Sequence, residues 1–213
     1  MLKNHYDLYD FLGYILPGLL LLGTIVFILQ RYFNISAIGF LSNSTVIESG
    51  VFVVSSFIVG HLIQGFCNPI EKMIYKKKWN GYPSSKFLEE SNKHFSKEYK
   101  QKLKEKLYNH FGLSEKSSYQ ELFDSAYCFL LQKKYRGKVE RFLSMHGFYR
   151  SLMMTCLILF LFFLILLIFK VYSIEVFIFT IIFLISTSIF YKRFIRFSVR
   201  FADTVYKEFF VYK

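Results

Sequence analysis

The sequence predicts an all-α integral membrane protein, with four transmembrane helices arranged as two hairpins and a helical cytoplasmic module between them. Two observations lead to this prediction. Of the 213 residues, 54% are hydrophobic, yet the formal net charge is +12. The apolar residues and the cations are also segregated along the chain, in long uncharged runs that alternate with lysine-rich stretches. Uncharged runs of this kind are typical of membrane-crossing helices, because ~20 residues at a rise of 1.5 Å match a ~30 Å hydrocarbon layer.

The uncharged runs place the four spans at residues 11–30, 50–66, 151–169 and 173–191. The third run, SLMMTCLILFLFFLILLIF, is the clearest, and the second is the shortest. The predicted domains are an N-terminal hairpin (1–66), a basic module (67–147), a C-terminal hairpin (148–191) and a basic amphipathic tail helix (192–213).

Lysine and arginine near the ends of the spans predict the orientation, because basic loops stay on the cytoplasmic side. The segment 67–147 holds 17 basic and 9 acidic residues, whereas the link 31–49 holds one basic residue. We therefore expect both termini and the module inside the cell, and the two short links outside.

Two prolines mark expected irregularities in the membrane helices. Pro17 lies inside the first span, where its missing N–H predicts a kink. Asn68 and Pro69 are typical of a helix start, with Asn68 as cap and Glu71 reaching back to it. The sequence thus predicts that the second membrane helix stops here and that a new helix begins, which would couple module and membrane.

Helical spacing continues through the module and the tail. Apolar residues at four-residue steps from Phe95 to Phe111 predict an amphipathic helix that ends at Gly112. Ser118 and Glu121 form a capping box for a second helix, and the run from Lys138 can enter the third span as one helix. The simplest interpretation of the tail is that it continues the fourth span as one helix. Its apolar stripe must then pack on the module, on a sister subunit or on the bilayer surface.

Polar residues within the spans are the candidates for a helix interface or a pore. They are Ser56, Gly60, His61 and Gln64 in the second span and Thr180 and Thr187 in the fourth. Small and hydrogen-bonding residues glue membrane helices together, which favours packing. A pore lining with His61 as a titratable member is the alternative, and an intramembrane catalytic role for His61 is a third.

The lysines of the module are candidates for binding an anion. They are Lys76, Lys77, Lys78, Lys97, Lys100 and Lys104, interleaved with the aromatic residues Tyr75, Trp79, Tyr82, Tyr99, Tyr108 and Phe111. Lysines contact phosphates and aromatic rings stack on bases, so a nucleotide or oligonucleotide is one possible ligand. A solvated surface that only orients the chain, and a surface for anionic lipid or a protein partner, are the alternatives.

Catalytic and metal-binding motifs are absent from the sequence. It has no phosphate-binding glycine loop, no HExxH, no nucleophile elbow and no paired catalytic carboxylates. We therefore predict a protein that is not an enzyme and that needs no metal or other cofactor.

Four stretches are similar to small bacterial membrane proteins: YDFLGYILPG (9–18), GHLIQ (60–64), WNGYPSSKFL (79–88) and FYRSLMM (148–154). The layout also resembles the transmembrane effectors of anti-phage defence systems, including the Hailong type. In that class a nucleotidyltransferase-like enzyme makes an oligonucleotide signal that controls a membrane channel. The resemblance implies a homo-oligomeric effector in the bacterial inner membrane, with a partner enzyme encoded nearby. A non-conducting scaffold that docks a cytoplasmic partner protein is the alternative.

Overall fold

The computed structural model describes residues 8–33, 45–132, 136–169 and 173–212, and within these ranges the chain is helical and has no strand. Four helices are long and apolar enough to cross a membrane, as the sequence predicted. They are α1 (Leu8–Phe33), α2 (Thr45–Trp79), α6 (Arg136–Ile168) and α7 (Ile174–Val211). Three shorter helices lie between α2 and α6: α3 (Pro83–Lys86), α4 (Lys97–Phe111) and α5 (Tyr119–Gln132).

The chain divides into two compact units. Unit 1 comprises residues 1–68 and 147–194, and unit 2 comprises residues 69–146 and 195–213. Helices α2, α6 and α7 each have residues in both units, so three of the four long helices run across the division without a break.

Unit 1 has an apolar core to which α1, α6 and α7 contribute. Its fully buried members include Ile28 from α1 and Leu159 and Phe163 from α6, together with Val176 from α7. Many aliphatic side chains on the outer faces of the long helices remain exposed. Such faces are expected where lipid or another subunit supplies the missing contacts.

Unit 2 has a core of its own, built from α4, α5, the segment before α4, the start of α6 and the last part of α7. Leu103 and Leu107 from α4 and Leu122 from α5 are fully buried there, beside Val205 and Phe209 from α7. The apolar stripe of the tail therefore packs on the module, which decides among the three surfaces that the sequence left open.

The helix ends and helix continuations that the sequence predicted in unit 2 are present in the structure. Gly112 closes α4 in the left-handed conformation (φ 62°). The capping box of α5 has both of its hydrogen bonds: Ser118 N donates to Glu121 Oε2 over 2.7 Å, and Glu121 N donates to Ser118 Oγ over 3.2 Å. Helix α6 continues from Arg136 into the third span, and α7 continues from the fourth span into the tail.

The predicted helix start at Asn68 and Pro69 is wrong, because α2 runs without interruption from Thr45 to Trp79. Asn68 does not cap a helix; its Oδ1 accepts a hydrogen bond from Arg150 Nη1 over 3.1 Å. Glu71 lies instead beside His146, with 3.3 Å between Oε1 and Nε2. The two polar side chains that would have capped a new helix thus contact Arg150 and His146 instead. The loss of one N–H donor at Pro69 does not end α2. Pro17 likewise lies inside a continuous α1.

Candidate functional site

Helices α1 and α2 touch through their backbones at two glycines. A Cβ at Gly18 would lie 1.8 Å from the carbonyl oxygen of Ser56, and a Cβ at Gly60 would lie 1.9 Å from that of Tyr14. Only glycine fits at such distances. Ser56 is buried in the same contact, where its hydroxyl donates to Phe52 O over 2.7 Å. The structure therefore places Ser56 and Gly60 in a tight helix–helix contact of the small-residue type.

His61 follows Gly60 but faces outward. Its ring is exposed and stacks on Tyr14, with 3.9 Å between centroids, while Phe57 meets it edge-on at 4.5 Å. The other exposed neighbours on α2 are aliphatic, among them Ile58 and Leu62. A polar ring thus lies in an otherwise apolar surface of unit 1.

Gln64 and Asn68 accept hydrogen bonds from the guanidinium of Arg150, a residue that was not among the predicted site residues. Arg150, on α6, donates from Nη1 to Asn68 Oδ1 over 3.1 Å and from Nη2 to Gln64 Oε1 over 3.4 Å. The thiol of Cys67 donates to the carbonyl oxygen of Arg150 over 3.8 Å. The structure therefore places Gln64 in the contact of α2 with α6. The signal in the sequence was an arginine directly before the most apolar span.

Hydroxyl groups in the spans bond to their own helices. Thr180 Oγ1 donates to Val176 O and Thr187 Oγ1 donates to Phe183 O, each over 2.7 Å. Thr180 is also buried. Back-bonding of this kind satisfies the hydroxyl within one helix and leaves its proton unavailable to line a polar path.

An ion-paired cluster joins the end of α1 to the start of α7. Arg31 Nη2 lies 3.1 Å from Glu175 Oε1, and Tyr32 Oη donates to Glu175 Oε2 over 3.1 Å. Tyr32 Oη also lies 2.7 Å from Ser173 Oγ. The cluster brings the residues that follow the first predicted span, Arg31 and Tyr32, to the start of the fourth predicted span.

A buried polar cluster holds α2, α6 and α7 together inside unit 2. Tyr75 is 3% exposed, and its hydroxyl lies 2.9 Å from His146 Nε2 and 2.6 Å from Ser198 Oγ. Glu71 Oε1 lies 3.3 Å from the same nitrogen, His146 Nε2. Sequence reasoning missed this cluster, because Glu71 and Tyr75 lie on α2 whereas His146 and Ser198 come from distant parts of the chain, on α6 and α7.

The candidate lysines divide into buried and exposed groups. Lys100 is 4% exposed, and its ammonium donates to the carbonyl oxygens of Glu89, over 2.7 Å, and of Asn92. Burial lowers the pKa of Lys100. The ammonium is enclosed by the turn before α4, so Lys100 is not a surface ligand for an anion, which corrects the sequence-based expectation.

The remaining candidate lysines are more accessible. Lys104 is half-buried and donates to Tyr119 Oη over 2.9 Å, with its ammonium 4.5 Å from the centre of the Tyr119 ring. A further four are exposed: Lys76, Lys77, Lys78 and Lys97.

The aromatic residues of the module mostly belong to its interior. Tyr99, Tyr108 and Phe111 pack against the core of unit 2, so their rings are not free platforms for bases. Burial raises the pKa of Tyr99 to about 12. Tyr82 is 40% exposed, and Trp79 is half-buried with the Lys78 ammonium 5.2 Å from its ring centre.

Within the described ranges, no group of three histidine, cysteine or acidic side chains could hold a metal ion. Comparison with protein-family models, with curated proteins and with solved structures found no match to the chain.

Proposed function

We propose that the chain is a homo-oligomeric effector of the bacterial inner membrane, in which unit 2 is a cytoplasmic module that controls a pore formed between subunits. The four long helices would form two membrane hairpins, with both termini inside the cell. The continuity of α2, α6 and α7 across the division between the units supports this proposal. A change of shape in unit 2 would reach the spans through these three helices.

The pore is inferred mainly from the exposed ring of His61. A polar side chain that faces lipid is costly, so such residues face protein or water. In one isolated chain His61 is exposed beside the rings of Tyr14 and Phe57, in an otherwise apolar surface. A second subunit or a water-filled path would provide the environment that lipid does not.

The inward orientation rests on charge, since segment 67–147 and the tail carry most of the cations. The contact of Arg31 with Glu175 supports only that the two links lie on the same side of the membrane, because it brings the end of the first span close to the start of the fourth. Four membrane crossings require that the two links within the hairpins lie on one side of the membrane and the module between the hairpins on the other.

The proposed signal is an anionic nucleotide or oligonucleotide made by a partner enzyme encoded nearby. The exposed Lys97 and the half-buried Lys104 provide cations on α4 for it. The ligand would shift the gate only by binding the open and closed states differently. In anti-phage defence, an open pore would depolarise the membrane.

Ion flux in liposomes tests the proposal. Purified protein is reconstituted, and potassium efflux is measured with and without synthetic oligonucleotides. We expect efflux that changes with the oligonucleotide and with His61→Ala, whereas Ile58→Ala, a matched change at an exposed aliphatic neighbour, leaves efflux unchanged. Vesicles that never conduct under any of these conditions would refute the pore.

The back-bonded hydroxyls favour a second function, a non-conducting scaffold that docks a cytoplasmic partner protein. Thr180 and Thr187 donate their hydroxyl protons to their own helix, and Thr180 is also buried. Salt-resistant co-purification of a neighbouring gene product, together with an absence of flux, would favour the scaffold.

A further inference from the structure

The ring nitrogens of His61 make no hydrogen bond with any residue that the structure describes. The ring is held by aromatic contacts alone, with Tyr14 stacked on it and Phe57 beside it. Stacking engages the face of an imidazole, whereas its nitrogen atoms bond in the plane of the ring. The chain itself therefore leaves the donor and the acceptor of this side chain unused.

This ring lies in a helix that is long and apolar enough to cross a membrane. His61 precedes the end of the second predicted span by five residues, which is ~7.5 Å along the helix axis. Histidine lacks the long stem with which lysine and arginine reach headgroups. Acyl chains offer no hydrogen bond, so the partner of the imidazole is protein or water.

The surroundings of His61 favour protein over an ordered water. A water held at this depth needs about two to four polar partners. The exposed side chains that lie nearest to His61 on its own face, Val54 and Ile58, are apolar. A water bound to His61 would thus lack a second partner on this face, whereas a neighbouring protein could bring one.

A second copy of the chain supplies a group that matches. A neutral imidazole carries one N–H donor and one nitrogen acceptor, so one imidazole is complementary to another. Copies that are inserted in the same orientation and related by an axis normal to the membrane hold each residue at one depth. Such an arrangement brings identical residues together at the axis, and His61 then meets His61.

We propose that α2 packs beside α2 of a second copy, with the two His61 side chains hydrogen-bonded to each other. Val54 precedes His61 by seven residues, the repeat that keeps two positions on the seam of a parallel helix pair, so it is the next contact along the seam. Leu62 lies ~100° around the helix from His61 and stays outside the seam. This inference rests on the homo-oligomer of the proposed function and names the surface where its subunits meet.

Disulfide trapping in vesicles tests this contact. Cys128 is exposed and is replaced in the parent protein, C128S, whereas Cys67 and Cys156 are buried and stay. In this parent, V54C should form a cross-linked dimer on brief oxidation, and the parent itself should not. The matched control is L62C, since Val54 and Leu62 are each 59% exposed and differ in their direction around the helix. The control should form little dimer.

Two substitutions at His61 separate hydrogen bonding from shape in the V54C protein. H61F keeps an aromatic ring beside Tyr14 but has no donor or acceptor. It should raise the protein-to-lipid ratio at half-maximal cross-linking by about three- to twentyfold, the range for interhelical hydrogen bonds in membranes. H61Q loses the ring but keeps a donor and an acceptor, so its ratio should stay within about twofold of that of V54C.

Four results would overturn the proposal. They are V54C cross-linking that H61F leaves unchanged, equal losses in H61F and H61Q, a dimer through L62C in place of V54C, and no cross-linked dimer at any protein-to-lipid ratio. A dimer through L62C would contradict this surface and leave the homo-oligomer standing. Ion flux is measured on separate vesicles of the C128S parent, so failure of the contact is distinguishable from failure of the pore.

Discussion

Replacement of Lys100 by methionine tests whether this lysine is structural, as its surroundings indicate. The Lys100 ammonium closes the turn before α4 by donating to the carbonyl oxygens of Glu89 and Asn92. Methionine keeps most of the aliphatic packing and removes the charge and the donors. Both carbonyl groups would then lose the ammonium as a partner, although Glu89 O still accepts from Asn92 N.

The magnitude follows from these two hydrogen bonds. A hydrogen bond to a charged group contributes ~1.5–3 kcal/mol, so the gross loss is ~3–6 kcal/mol. The variant also avoids the cost of burying an ammonium, which is the largest cause of the lowered pKa of Lys100. We expect the free energy of unfolding to fall by about 2–3 kcal/mol once this offset is included.

Equilibrium denaturation in detergent micelles measures this change, with the fluorescence of Trp79 as the reporter within unit 2. The matched control is Lys97→Met, which removes an exposed lysine from the first turn of the same helix. The control should change the free energy of unfolding by less than ~0.5 kcal/mol.

The opposite pattern would refute the reasoning. If Lys100→Met unfolds like the unmodified protein but no longer binds an oligonucleotide, then Lys100 contacts the ligand and the enclosed position is not its working state. If both variants lose stability equally, the effect belongs to helix charge and not to the two carbonyl contacts.

Three other changes have equally specific expectations. Gly60→Ala puts a Cβ against Tyr14 O and should destabilise the fold by ~1–3 kcal/mol in thermal unfolding. The control Gly65→Ala, with open space around the new Cβ, should not destabilise it. Equal melting temperatures of the two variants would contradict the close contact. Tyr75→Phe deprives His146 and Ser198 of a shared buried partner and should cost ~1–3 kcal/mol in chemical denaturation, so an unchanged midpoint would speak against the cluster. Within the described residues the buried Tyr99 hydroxyl has no hydrogen-bond partner, so Tyr99→Phe should keep or slightly raise stability at pH 7. The Tyr99 pKa rises from 10.0 to about 12 on folding, so the neutral side chain contributes fully to the free energy of unfolding below pH 10, and this contribution is lost as pH rises through 12. The free energy of unfolding should therefore fall less steeply with alkaline pH in Tyr99→Phe. Identical pH profiles would contradict the raised pKa.

The sequence predicted the helices well because their signals are local. Hydropathy over about 20 residues depends on no distant partner, and neither does the pairing of Ser118 with Glu121 across one turn. The same holds for Gly112, whose positive φ ends α4 where the apolar spacing stops. Ser56 and Gly60 are residue types that predict a helix interface, but only the structure identified the partner surface around Gly18.

The polar contacts were beyond sequence reasoning where their partners lie far apart in the chain. Arg31 and Glu175 are separated by 144 positions, and nothing near either residue identifies the other. Asn68 had the local pattern of a helix cap, and a bond to Arg150 overrode it. Lys100 had the spacing of an exposed lysine, yet the turn at Glu89 folds over it.

The sequence by itself determined how this chain is partitioned, since apolar length and the positions of cations set which segments suit lipid and which suit water. Only the tertiary structure decided which polar groups are used up inside the protein and which remain on its surface. The physical reason is that transfer from water to lipid is a property of each segment alone. The burial of a lysine, a histidine or an arginine depends on carbonyls and carboxylates supplied by other segments.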